Sequence, residues 1–165
     1  MRLLAIDPGP DKSGVVVWDG SRVISSGHRE NDSIRAMIAV GGYDRVACEM
    51  IASYGMAVGA SVFETCVEIG RFKERAEANR TAFQFVYRKD VKLHLCGSSR
   101  AKDANVRLAL IDALGPTGTK SNPGPLYGVS GHAWAALAVA VTATNDARFL
   151  GVKHAEGGAH DAKSA

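Results

Sequence analysis

Apolar residues in the first half of the chain fall into short runs separated by turn residues, a pattern typical of strands. Residues 3–6 form an apolar run that an Asp-Pro-Gly turn stops, and residues 14–18 are rich in β-branched side chains. An Asp-Gly pair then gives a hairpin signal before a third run at residues 22–26. Residues 45–48 and 81–87 predict a fourth and a fifth strand. Three consecutive strands joined by short turns favour an antiparallel meander.

Apolar side chains spaced three or four residues apart predict the helices. The clearest case runs from Val58 through Phe72 toward Ala78, and its apolar stripe is interpreted as core or dimer surface. Further helices are predicted at residues 32–40, 103–114 and 132–143, and a short helical turn at residues 90–95. The helix at residues 132–143 is rich in alanine, so it suits close packing on a sheet. The order of elements predicts a mixed α/β fold, in which a five-stranded sheet joins the meander to parallel strands.

Two segments lack periodicity. Residues 115–131 contain three of the five prolines, and a loop of this length is usually functional or mobile. After Gly151 the chain again shows no periodic pattern, so residues 151–165 are predicted to be a disordered tail, in which His154 and His160 are solvated. Residues 1–150 are accordingly interpreted as a single domain.

The composition of the 165 residues, 46% hydrophobic and 22% charged, is that of a globular protein and excludes intrinsic disorder as the overall class. Apolar runs stay below the ~18 residues that a membrane span needs, and the N-terminus lacks the pattern of a signal peptide. We therefore expect a soluble, cytoplasmic protein. The cysteines, Cys48, Cys66 and Cys96, have no CxxC spacing and are predicted to be free thiols, mostly buried.

The net charge of +3 is modest, but it is unevenly distributed along the chain. Residues 71–107 contain ten Lys and Arg against four Asp and Glu, so this stretch carries +6 and the remainder −3. Such a stretch is consistent with an ordinary solvated surface. It is equally consistent with a surface for a polyanion, because Lys and Arg displace counterions from phosphates.

Two acids follow predicted strands, and they are the first candidates for chemistry. Asp7 ends the first strand and Glu49 ends the fourth. If the two strands are parallel neighbours, the Cα atoms of these acids lie about 5 Å apart, at the sheet edge where α/β proteins bind ligands. Paired carboxylates repel unless a proton or cation lies between them, and they suit Mg²⁺ or Mn²⁺. The alternative is that Asp7 caps the following turn and Glu49 pairs with a surface arginine.

Four stretches of the sequence carry a family resemblance: AIDPGPDKSGVVVWDG, ACEMIASYGMAVG, VKLHLCGSSRAKDANVRLALID and GVSGHAWAALAVAVTA. In this order they resemble the RuvC-like Holliday junction resolvases, above all the compact proteins of phages and prophages. The resemblance spans residues 3–143. It implies an RNase H-like fold, a homodimer, and divalent-metal-dependent cleavage of branched DNA by paired nicks, in the cytoplasm of a bacterial or phage-infected cell.

The resemblance also implies a catalytic site. Asp7 matches the family's first-strand metal aspartate, Glu49 matches the fourth-strand glutamate, and His132 falls where the last helix begins with an acid or a histidine. All three are assigned as catalytic residues and as ligands of Mg²⁺ or Mn²⁺. Many resolvases have a further aspartate one helical turn later, where this chain has Ala135. For an isolated histidine near a helix start, the alternative is a cap or core role.

The resemblance and the basic stretch together suggest a DNA-binding surface. The residues assigned to it are Tyr54, Arg71, Arg75, Arg100, Lys102 and Arg107. By resemblance, basic residues near Lys102 approach the scissile phosphate, while Asp103 is interpreted as a helix N-terminal acid more than as a metal ligand. Tyr54 either stacks on an unpaired base or anchors the turn at Gly55.

Three function classes are compatible with these features. The leading interpretation is a structure-selective, metal-dependent endodeoxyribonuclease acting on Holliday junctions or related branched DNA, and symmetric nicking by so small a domain predicts a homodimer. The alternative is a branched-DNA-binding protein with weak or no nuclease activity, which Ala135 suggests. The third, a nucleotide-binding domain of the actin-like group, requires a second lobe for which 165 residues leave no room.

Overall fold

The computed structural model describes residues 1–145, and its elements follow the predicted order. The strands are β1 Leu3–Asp7, β2 Lys12–Trp18, β3 Val23–Glu30, β4 Arg45–Met50 and β5 Ala82–Tyr87. The helices are α1 Asn31–Val40, α2 Ala60–Ala78, α3 Arg88–Cys96, α4 Asp103–Leu114 and α5 Ala133–Ala143. The predicted tail at residues 151–165, with His154 and His160, lies outside the described residues.

The five strands form one sheet in the order β3-β2-β1-β4-β5. The β1–β2 and β2–β3 pairs are antiparallel, whereas β1–β4 and β4–β5 are parallel. This is the predicted meander joined to parallel strands. The central strand β1 is covered on both faces, because Leu3, Leu4, Ala5 and Ile6 are all fully buried.

Side-chain alternation divides the sheet into two faces. In β1, Leu3 and Ala5 belong to the core formed with α3, α4 and α5, while Leu4 and Ile6 belong to the core formed with α1 and α2. Helix α5 lies directly on β1 and β2, and its alanines are almost all buried, as the sequence predicted. Within residues 1–145, no helix combines the length and apolar character that crossing a bilayer requires.

Several predicted elements differ from the structure in length: β2 begins at Lys12, two residues before its predicted start, α2 begins at Ala60 and not at Val58, and β4 continues to Met50. Strand β3 continues to Glu30, four residues beyond the predicted end, because the edge strand is polar and largely exposed and so lacks an apolar alternation. The predicted short turn at residues 90–95 is a helix that begins at Arg88. The cysteines are free, as predicted, but only Cys48 is buried, while Cys66 and Cys96 are partly exposed, which corrects that expectation.

The proline-containing loop at residues 115–131 is attached to the body of the domain. Leu126 and Val129 are buried in the α3–α4–α5 core, and a short bridge links Gly118 with Pro123. The loop therefore leads directly into the start of α5, which places it beside the sheet edge where β1 and β4 end.

Candidate active site

The two predicted acids lie side by side at the carboxyl edge of the sheet. Ile6 and Cys48 are the last registered pair of the parallel strands β1 and β4, and Asp7 and Glu49 come next in each strand. Alternation places both acids on the α5 side of the sheet. They line one cleft of about 480 Å³ together with Arg88, Asp103, Val106, Arg107, Gly131, His132, Trp134 and Ala135.

Burial governs the protonation of both acids. The side chains of Asp7 and Glu49 are 17% and 16% exposed. Burial raises the pKa of Asp7, and a hydrogen bond from His132 opposes this increase. Burial raises the pKa of Glu49 to about 7, a rise that the charge of Arg88 opposes and the charge of Asp7 reinforces. The edge therefore holds two carboxylates that are costly to ionise without an added cation.

His132 faces this pair of acids. It lies immediately before α5, its side chain is 68% exposed, and it makes no side-chain capping hydrogen bond. Its Nδ1 lies 3.0 Å from Oδ2 of Asp7, and its ring stacks on that of His28 at a centroid distance of 5.0 Å. His132 occupies the N-cap position of α5, but its side chain does not cap the helix and is not part of the core; it contacts Asp7 and His28 instead.

A glycine makes the approach of His132 to the sheet possible. Gly14 is registered opposite Asp7 on one side and opposite His28 on the other. A Cβ at Gly14 would lie 2.4 Å from the backbone oxygen of His132, well inside contact distance. Asp7, Gly14 and His28 therefore form one row across the sheet. His28 was missed from the sequence because the third strand was predicted to end at residue 26. Two more residues of β2–β3 pairing bring His28 opposite Gly14.

Buried polar groups hold the turn that follows Asp7. The Ser13 hydroxyl donates to Oδ1 of Asn31 at 2.7 Å and accepts from the backbone N–H of Gly9 at 3.2 Å. The Asn31 amide donates to the backbone oxygens of Gly9 and Pro10, both at 3.0 Å. Ser13 and Asn31 thus supply the turn's side-chain hydrogen bonds, and the carboxylate of Asp7 is directed to the cleft.

Arg88 forms the opposite wall of the cleft. Its guanidinium lies 3.4 Å from Oε2 of Glu49 and 2.7 Å from Oδ1 of Asp103, which is also 3.7 Å from Nζ of Lys92. The predicted alternative for Glu49, pairing with an arginine, is therefore present in the structure. Arg88 was counted in the basic stretch, but its partner Glu49 lies 39 residues earlier, so local sequence gave no signal for this contact.

The predicted DNA-binding residues lie in different places. Arg107 lines the cleft, with its guanidinium 4.6 Å from the ring centroid of Trp134, whereas Arg100 and Lys102 line a shallow surface groove between α3 and α4. Tyr54 lines another groove together with Arg88 and Lys92, and its side chain is 66% exposed. This exposure does not fit the alternative in which Tyr54 is a half-buried anchor of the turn at Gly55.

Arg71 and Arg75 occupy the other side of the domain. They lie on α2, which packs with α1 on the opposite face of the sheet, and neither lines the cleft. Arg71 pairs with the buried Glu68, which also binds Arg35 of α1. Nearness along the basic stretch therefore does not correspond to nearness in space.

The donor types at the cleft fit a divalent cation. Within residues 1–145 no three His, Cys, Asp or Glu side chains come together as a ready-made metal site, and the Glu49 carboxylate contacts Arg88. Two carboxylates and an imidazole facing one cleft nevertheless suit Mg²⁺ or Mn²⁺. Ala135 lies in the same lining, so the position at which many resolvases have a further aspartate contributes no ligand here.

Known structures give the fold an independent comparison. No protein-family model and no curated protein matches the chain. Thermus thermophilus RuvC matches with 22% identity over 90% of this chain and 96% of RuvC, at a TM-score of 0.66. T. thermophilus RuvC in complex with a Holliday junction substrate matches with 21% identity over 90% of this chain and 95% of that one, at a TM-score of 0.67. The chain therefore has the RNase H-like fold of RuvC, which confirms at the level of the fold the resemblance seen in its sequence.

Proposed function

We propose that this protein is a structure-selective, divalent-metal-dependent endodeoxyribonuclease that resolves Holliday junctions or related branched DNA by paired nicks. The observation that carries the proposal is that Asp7, Glu49 and His132 line one cleft at the carboxyl edge of a RuvC-type sheet. The RuvC of similar fold has been solved with a Holliday junction, which supports branched DNA as the substrate class.

Asp7, Glu49 and His132 are the residues that would hold Mg²⁺ or Mn²⁺. A divalent cation there supplies neutralisation of phosphate charge and a more acidic bound water. Nδ1 of His132 faces the Asp7 carboxylate, so a proton on Nδ1 leaves Nε2 free to bind a cation or accept a proton from the attacking water. Arg107 adds a positive charge to the cleft wall, where it can contact a phosphate oxygen.

Paired nicks require two such sites, and we propose a homodimer as their source. The face of α2 that points away from the sheet carries Phe63 and Val67, which are 62% and 55% exposed. Exposed apolar side chains one helical turn apart are a typical component of a subunit interface. Phe63 and Val67 lie outside the predicted apolar stripe of α2, whose Ile69 and Phe72 are buried in the core. The homodimer proposal therefore rests on this separate exposed pair.

Cleavage of a synthetic four-way junction tests the proposed function. With Mg²⁺ or Mn²⁺ we expect two nicks at symmetric positions near the crossover, no comparable cleavage of a linear duplex of the same sequence, and no cleavage in EDTA. Nicks should be mapped on end-labelled strands. Junction binding without any cleavage in either metal would contradict the nuclease proposal and favour a branched-DNA-binding protein, the second candidate that Ala135 supports.

The imidazole ligand predicts a metal preference. Because imidazole is a softer ligand than carboxylate, we expect faster cleavage with Mn²⁺ than with Mg²⁺ at saturating concentrations of each. Converting the site to carboxylates with His132→Asp should lower the Mn²⁺-to-Mg²⁺ rate ratio by about threefold or more. The Mn²⁺-to-Mg²⁺ rate ratio is informative because a smaller fraction of active protein lowers both rates equally and leaves their ratio unchanged. Equal wild-type rates with both metals, or an unchanged ratio in the variant, would exclude His132 as a ligand.

A further inference from the structure

The imidazole of His132 lies on the surface and needs support from other residues to keep one orientation. The side chain is 68% exposed and makes no capping hydrogen bond with α5. Its Nδ1 lies 3.0 Å from Oδ2 of Asp7. This hydrogen bond fixes one edge of the ring, but the ring can still swing about that edge. The direction of the other nitrogen, Nε2, therefore depends on what covers the face of the ring.

His28 covers one face of the His132 ring. The two ring centroids are 5.0 Å apart and the ring planes differ by 21°, which is a stacked arrangement. Strand β3 places His28 opposite Gly14, and the absent side chain of Gly14 leaves the space that the backbone of His132 occupies. The ring of His132 is thus bounded at one edge by Asp7 and on one face by His28.

A role for His28 as a metal ligand does not fit this arrangement. Two imidazoles bind one cation through their nitrogen edges, whereas the stacked rings present their faces to each other. No three His, Cys, Asp or Glu side chains among residues 1–145 come together as a metal site. His28 lines a separate pocket of about 340 Å³, which shares Asp7 and His132 with the acidic cleft but does not include Glu49. The contact of His28 that bears on the cleft is therefore its contact with the ring of His132.

We propose that His28 is a positioning residue for His132. Stacking on His28 keeps the imidazole from turning out of the cleft and holds its Nδ1–H on the Asp7 carboxylate. Nε2 is then the nitrogen available to a cation or to the attacking water. The shape of the His28 ring performs this role, so another aromatic ring can replace it. The proposal rests on the proposed function for the task of Nε2, but the orientation of His132 can be measured without DNA or metal.

Nuclear magnetic resonance of the histidine rings tests the positioning directly. Protein labelled with ¹⁵N-histidine is studied in EDTA at pH 8, where an ordinary imidazole is neutral, and the signals of His132 are those missing from His132→Asn. The hydrogen bonds of a ring determine which nitrogen carries the proton. The wild type and His28→Phe should hold the proton on Nδ1, whereas His28→Ala should show both tautomers. Unchanged His132 signals in His28→Ala would overturn the proposal.

Metal binding and cleavage provide the second measurement. His28→Ala should lower the single-turnover rate of junction cleavage about tenfold and weaken Mn²⁺ binding, measured by calorimetry without DNA, by a similar factor. His28→Phe should stay within about threefold of the wild type in both measurements, because it keeps a ring against His132. Junction affinity in EDTA should be the same in all three proteins. If His28→Phe is as impaired as His28→Ala, the nitrogens of His28 are required and the positioning role is wrong.

Arg29→Ala is the matched control. Arg29 follows His28 in the exposed edge strand β3, and alternation directs its side chain to the other face of the sheet. Its cleavage rate, Mn²⁺ affinity and His132 signals should match those of the wild type, and thermal unfolding verifies that each variant is folded. Equal losses in Arg29→Ala would trace the effect to β3 as a whole and overturn the role of His28. Absence of junction cleavage by the wild type would contradict the proposed function, while the resonance experiment would still decide whether His28 positions His132.

Discussion

Replacement of Asp7 by asparagine is expected to lower the rate of junction cleavage at least about 100-fold while leaving junction binding within a factor of two or three. Asp7 ends the central strand of the sheet, next to Glu49 and 3.0 Å from His132. Asparagine has nearly the same shape, so the row across the sheet is retained. It removes, however, the negative charge that would hold a divalent cation and that faces the imidazole of His132.

Asp11→Asn is the appropriate control for this experiment. Asp11 follows in the same turn but is exposed, and the turn itself depends on Ser13 and Asn31. Cleavage should be measured by single-turnover kinetics with excess protein, so that the rate reports the chemical step, and binding by anisotropy in EDTA. If Asp7→Asn cleaves as fast as the wild type, any nicking arises elsewhere and the proposed site is wrong. If Asp11→Asn lowers the cleavage rate equally, the loss arises from removing a negative charge anywhere in this turn and is not specific to Asp7.

The central sheet could be predicted because it depends on short-range patterns. Residues 3–6 are apolar on both faces, as a strand covered from two sides requires, and the Asp-Pro-Gly turn fixes where it ends. Asp7 ends β1 and Glu49 is the last but one residue of β4, so predicting both acids near strand ends was enough to place them together once β1 and β4 proved to be parallel neighbours. Strand β3 was predicted too short because an exposed edge strand has no apolar face to reveal it.

The remainder of the site depends on contacts between distant parts of the chain. His28 stacks on His132, and Arg88 pairs with Glu49, across separations that local patterns do not encode. The basic stretch shows the opposite situation, in which residues close in sequence are far apart in space. Helix α2 carries Arg71 to the face of the sheet opposite the cleft. A count of charge along the chain therefore identified a basic segment without identifying a basic surface.

Glu49 makes metal-free stability depend on pH. The folded pKa of Glu49 is raised to about 7 from an ordinary value of 4.5, so the folded protein binds more protons than the unfolded chain between these values. Stability in EDTA should therefore fall as pH rises from about 4.5 through 7 and stay low above it. Asp7, whose pKa is also raised by burial, contributes with the same sign. A cation bound between the acids would remove this cost, so we expect Mn²⁺ to stabilise the wild type most above pH 7.

Glu49→Gln is expected to stabilise the metal-free protein at pH 8 by up to about 3 kcal/mol, and to leave its stability at pH 4.5 nearly unchanged. The opposing effect is loss of the Glu49–Arg88 contact, but at 3.4 Å this contact is long, and Arg88 keeps Asp103 at 2.7 Å. Relief of the buried charge should therefore dominate. Urea unfolding in EDTA at the two pH values measures the difference. A variant less stable than the wild type at pH 8 would show that Glu49 serves chiefly to hold Arg88, and that its charge is stabilised without a metal.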